Sequence, residues 1–115
     1  MEYLPDIEAE ITYLPTQAGG RQGYIGTGYR GQFYYDGTDW DAQQTFIGCE
    51  RVEPGGNVKA TLRFASPQAH DEKLAVGTVF LVREGSKTVG YGKVTSILNL
   101  AAHAAEVRTK EQGKL

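Results

Sequence analysis

Alternation at a period of two constrains this chain more than any other feature. In "DIEAEITYL", Ile7, Ala9, Ile11 and Tyr13 alternate with Glu8, Glu10 and Thr12. In "NVKATLRFA", Val58, Ala60, Leu62 and Phe64 alternate with Lys59, Thr61 and Arg63. Such a period puts the apolar set on one face of an extended strand and the polar set on the other. "TVFLVRE", from Thr78 to Glu84, is apolar enough to be covered on both faces for part of its length. With "TVGYGKVTSIL" it reads as a hairpin, Val79 to Ile97, turning at Gly85-Ser86. Within the returning strand, Gly90 and Gly92 share a face, which indicates a bend or the close approach of another backbone.

Two further short strands are expected at "QFYY" and "TFIGCERV", with "PGGN", Pro54 to Asn57, as a turn. "DGTDWDA" reads as a loop. The end of the chain changes character. "NLAAHAAEVRTKEQGKL" is alanine-rich, with Asn99 as N-cap and Leu100, Ala104 and Val107 on one face. Lys110 and Lys114 sit where the helix dipole favours cations. About six short strands with turn signals between them mean a sandwich or a closed barrel. The expected core includes Ile11, Val58, Leu62, Phe64, Val79, Leu81 and Val89.

Glycine and aromatic residues crowd one segment, "GGRQGYIGTGYRGQFYY", Gly19 to Tyr35. Gly26, Gly28 and Gly31 stand in the register G-x-G-x-x-G, but a dinucleotide loop needs an apolar strand before it and a helix after it. Here the upstream flank is polar, and the downstream flank is rich in aromatics and turn formers. No G-x-x-x-x-G-K-[ST] occurs, so a P-loop is excluded. Net charge is -2 and the pI is about 5.6, which removes the simplest argument for a nucleic-acid partner. Cys49 is alone, so neither a disulfide framework nor a cysteine metal cluster is expected. His70 lies in the polar "PQAHDEK", where a lone histidine is normally solvated, and His103 lies in the helix. Two distant histidines give no metal spacing, and no constellation of catalytic groups is present. No enzyme activity, metal or cofactor is expected. "MEYLPDIEAE" has no basic n-region and no apolar h-region, and no apolar run approaches the roughly 20 residues of a membrane helix. The expectation is a cytoplasmic protein with no membrane partner.

The order of the motifs resembles the C-terminal domain of elongation factor Tu, the third domain of that GTPase. The resemblance rests on "GGR" (Gly19 to Arg21), "GYRGQFYY" (Gly28 to Tyr35), "PGGN" (Pro54 to Asn57) and "REGSKTVGYGKV" (Arg83 to Val94), and runs from about Asp6 to Leu98. It implies an all-β fold, a six-stranded antiparallel Greek-key barrel over residues 1–98, followed here by a short C-terminal helix and tail over 99–115. The nucleotide-reading motifs of the parent factor are missing, so guanine nucleotide is not an expected ligand.

That family domain touches the T arm of aminoacyl-tRNA, contacts the nucleotide-exchange factor and packs against the GTPase domain. By motif position, the resemblance assigns RNA contacts to Arg21, Gln22, Gln32, Glu84 and Gly85. The sequence departs from the family where Gln22 replaces a histidine, Gly31 a proline and Asp41 a threonine. Asp36, Asp39 and Asp41 place three carboxylates where phosphate would lie, which opposes RNA binding. The expectation is a non-catalytic module that binds a protein of the translation machinery, with tRNA binding weak. Its surface is expected around Arg21, Gln22, Gln32, Trp40, Asp41, Glu84, Gly85 and Lys87, with Trp40 as an exposed anchor.

Overall fold

A computed structural model describes residues 4–112. Its strands are β1 (Ile7–Tyr13), β2 (Ile25–Gly26), β3 (Gln32–Tyr35), β4 (Thr38–Phe46), β5 (Arg51–Val52), β6 (Asn57–Phe64), β7 (Val79–Glu84) and β8 (Lys87–Ile97), and one helix follows, α1 (Leu100–Gln112). Six strands close an antiparallel barrel in the order β1-β6-β4-β3-β7-β8, with β8 returning to β1. Because β1 lies between β6 and β8 and not beside β3, the connectivity is a Greek key. β2 and β5 form a separate two-stranded ribbon.

The alternation in β1 and β6 has the effect its period demands. Ile7, Ala9, Ile11 and Tyr13 are buried against Val58, Ala60, Leu62 and Phe64, and an aromatic group fills the middle. Phe33 stacks on Phe80 at 4.1 Å between ring centroids and meets Phe64 edge-on at 5.0 Å. Gly92 is a site of close approach: a Cβ there would stand 2.5 Å from the Phe80 ring and 2.8 Å from the Glu10 carbonyl oxygen. Gly28 and Gly31 lead into β3 and not into a helix, so the G-x-G-x-x-G register holds no phosphate loop.

Four expectations need correction. Val79 and Leu81 do not belong to the core: Val79 is 70% exposed and Leu81 half-buried, while Phe80 and Val82 point inward. "DGTDWDA" is not a loop. Asp36-Gly37 is a two-residue turn with φ values of 51° and 80°, the signs a type I′ hairpin requires, and β4 begins at Thr38. "TFIGCERV" is not one strand, because β4 stops at Phe46 and β5 starts at Arg51. His70 is fully buried, not solvated. A 3-10 turn, Pro67–Ala69, lays it over one end of the barrel against Phe64 and Trp40.

Helix α1 is fastened at both ends. Leu100 and Ala104 are buried, and Val107 is half-buried. The Asn99 side-chain amide donates to the Pro5 carbonyl. Arg108 holds Asp71 with two hydrogen bonds of 2.8 and 2.9 Å. Lys114 lies outside the described residues. Among the described residues no helix is long and apolar enough to cross a membrane.

Candidate partner-binding surface

The "GGRQG" segment leaves β1 through a 3-10 turn, Thr16–Ala18. Thr16 Oγ1 donates to the Arg21 carbonyl at 2.6 Å, which turns Arg21 toward the β7–β8 hairpin. There Arg21 Nε lies 3.0 Å from Glu84 Oε2, and its guanidinium sits 5.2 Å from the Tyr29 ring centroid. Tyr29 donates its hydroxyl to the same Glu84 oxygen at 2.6 Å. Burial, and after it the bond to Glu84, hold the Tyr29 phenol well above its ordinary pKa, so it stays a donor. Lys87 reaches back to the Gly20 carbonyl at 3.2 Å.

The structure therefore brings together Arg21, Glu84 and Lys87, with Gly85 at the hairpin tip and Gln22 exposed beside Arg21. Tyr29 joins them unannounced. Its place in "GYRG" reads as generic aromatic packing, and only the fold shows that its hydroxyl meets Glu84. Gln32 pairs in register with Asp41 on one side and Arg83 on the other, which puts these three on the adjoining wall. Gln32 Oε1 is buried without a hydrogen-bond partner. Arg83 lies 3.7 Å from Asp39 and over the Tyr34 ring at 4.5 Å.

Trp40 stands apart from this group. Its cross-strand partner is the buried Phe33, and its indole meets the His70 ring edge-on at 4.6 Å. It is half-buried and packed on the core. The exposed-anchor expectation is corrected: acids on either side make the segment look like a loop, yet alternation along β4 turns Trp40 inward. Trp40→Ala should cost about 2 kcal/mol, reduced for partial burial from the value of a fully buried aromatic. An unchanged melting temperature would return Trp40 to the exposed surface.

Cys49 is exposed and free. Among the described residues no group of three His, Cys, Asp or Glu side chains is placed to hold a metal ion. A family model described as the elongation factor Tu C-terminal domain matches residues 2–98.

Proposed function

Because the chain belongs to the elongation factor Tu C-terminal domain family, we propose that it is a non-catalytic, cytoplasmic binding module that docks on a protein of the translation machinery. The surface is the meeting of the "GGRQG" segment with the β7–β8 turn: Arg21, Gln22, Glu84, Gly85 and Lys87, flanked by Gln32 and Asp41. The observation that carries this reading is the Arg21–Glu84 pair at 3.0 Å, braced by Tyr29. Arg21 is the side chain that motif position assigns to RNA, and its charge is met by a carboxylate on the same surface. Arg83 faces Asp39 in the same way. Paired charges gain little from displacing counterions of a polyanion, so the surface suits a protein partner better than phosphate.

The test is titration of the purified chain with the nucleotide-exchange factor of elongation factor Tu, with its GTPase domain and with aminoacyl-tRNA, each at low and high salt. Binding to either protein that survives high salt supports the reading. Binding to tRNA alone overturns it. Glu84→Gln gives a second prediction. It removes the carboxylate that meets Arg21, so tRNA affinity should rise several-fold at low salt, and the salt dependence should steepen. Unchanged tRNA affinity would show that Glu84 is not what suppresses RNA binding.

A further inference from the structure

The outer wall of the barrel carries an apolar groove of about 300 Å³, lined in part by Tyr34, Asp36, Val79, Leu81 and Tyr91. It lies at the end of the β7–β8 hairpin away from Glu84 and Lys87. Its origin is a gap in strand pairing. β3 pairs with β7 only from Gln32↔Arg83 to Tyr34↔Leu81, because the chain then turns at Asp36-Gly37. Pairing has ended where β7 continues through Val79 and Phe80. Phe80 points inward, while Val79 stands on the outer face with 70% of its surface in water, and Tyr91, opposite Leu81, keeps 51% of its own. Together they make an apolar patch on a wall where alternation elsewhere places polar residues.

The charges beside this patch are matched in position and opposite in sign. By register, Tyr34, Leu81 and Tyr91 form one row across β3, β7 and β8. Val79 and Lys93 belong to the next row, and Asp36, two residues beyond Tyr34, comes level with them on the β3 side. Val79 thus stands between a carboxylate and an ammonium group. Both Asp36 and Lys93 are exposed, and among the described residues neither side chain forms an ion pair or a hydrogen bond. Glu10 of β1 lies opposite Lys93 in register but makes no ion pair with it. Arg83, next along the same face of β7, is held to one side by Asp39 at 3.7 Å and by the Tyr34 ring at 4.5 Å.

We propose that this wall pairs with a second copy of the chain across a two-fold axis that runs along β7. Such an axis exchanges the β3 side for the β8 side and leaves the level along the strand unchanged. Val79 then faces Val79 of the second copy, and Leu81 faces Leu81. Tyr91 of each copy covers Tyr34 of the other, and Lys93 of each meets Asp36 of the other. Two ion pairs flank one apolar strip, and no like charges are opposed within these two rows. An isologous interface requires this self-complementary pattern. It selects a second copy over a purely basic or purely acidic partner, which would leave Lys93 or Asp36 facing its own sign. The strip is short and the barrel wall convex, so the contact falls below the roughly 20–30 residues a side of a standard interface, and the dimer is weak.

Sedimentation equilibrium of the full chain tests this. The mass should be 12.6 kDa in dilute solution and rise toward twice that value as the concentration approaches about 1 mM. Val79→Asp sets a carboxylate against its own copy on the axis and should weaken association at least about tenfold. Its melting temperature in dilute solution should fall by no more than a few degrees, because Val79 is exposed. Charge reversal is the more selective arm. Lys93→Glu opposes two carboxylates at each contact and Asp36→Lys opposes two ammonium groups, so each variant alone should stay monomeric. Mixed one to one, the two variants restore both ion pairs and should associate at least as well as the parent. Lys93→Glu also faces Glu10 across β1, and Asp36→Lys occupies a φ of 51°. Dilute-solution melts therefore accompany both, and a variant that does not fold is replaced by Lys93→Gln or Asp36→Asn, each of which should weaken association several-fold. The proposal fails if the parent remains a monomer at about 1 mM, if Val79→Asp or the neutralised variants associate as the parent does, or if folded reversed variants do not associate on mixing. A persistent monomer leaves the groove to a partner of another kind, and an insensitive dimer places the self-contact elsewhere on the barrel.

Discussion

Acidification from about pH 7.5 to about pH 4.5 should remove on the order of 2–3 kcal/mol of stability through His70 alone. The ring is fully buried, its Nδ1 lies 2.6 Å from the Tyr35 hydroxyl, and its Nε2 has no hydrogen-bond partner. Burial first, and then the nearby Lys73 charge, push its pKa down to about 4, with Asp71 acting weakly in the opposite direction. The unfolded chain, with an ordinary imidazole, takes up a proton before the folded one does. Protons therefore favour the unfolded state between the two pKa values. The contribution of His70 is complete above the ordinary histidine pKa, falls as pH drops below it, and levels off near pH 4. Urea denaturation at both pH values, on the parent and on His70→Phe, isolates the effect. The parent should lose more stability on acidification than the variant does. Equal losses would mean that His70 reaches water or a partner that the packing against Phe64 and Trp40 does not show.

Phe80→Ala should cost about 3–5 kcal/mol, and its neighbour Val79→Ala less than about 0.5 kcal/mol. Phe80 is 3% exposed and stacked on Phe33 at 4.1 Å, so truncation removes a ring from the centre of the aromatic group. Val79 is 70% exposed on the barrel's outer wall. Adjacent residues of similar apolar character are thus separated by a factor that denaturant melts resolve easily. Comparable losses at both positions would mean that β7 sits in a register shifted by one residue, which would turn Leu81 inward as well.

That pair also shows where the sequence stops being legible. β1 and β6 carry polar residues on every second position, so the alternation has a phase and the buried face can be read directly. From Val79 to Val82 every residue is apolar, so the period has no phase, and only pairing with β3 and β8 decides which face goes inward. Trp40 was obscured differently: carboxylates on a barrel's solvent face look, in one dimension, like a solvated loop. The nearness of the "GGRQG" segment to the "REGSK" turn is suggested by the resemblance to the family, and the Arg21–Glu84 and Lys87–Gly20 contacts join the two. The Tyr29–Glu84 bond inside that surface was not legible, because it joins residues 55 positions apart. The Asp6–His103 contact spans 97 positions and depends on where α1 docks, which no local pattern encodes.

Closure of the barrel has a kinetic consequence. The last seam joins β1 to β8, with Ile7 opposite Ile97 and Tyr13 opposite Gly90. These are among the most distant pairings in the described chain, so their loop entropy must be met before they stabilise anything, and folding belongs in the millisecond-to-second range of non-local β proteins. Until β8 arrives, β1 presents an open hydrogen-bonding edge able to template another chain. Synthesis from the N-terminus leaves that edge exposed while everything from β2 to β7 is being made. Crowded nascent chains should therefore misassociate through β1, and slowing the emergence of the Val79–Ile97 hairpin should lower soluble yield without changing the stability of the protein that does fold.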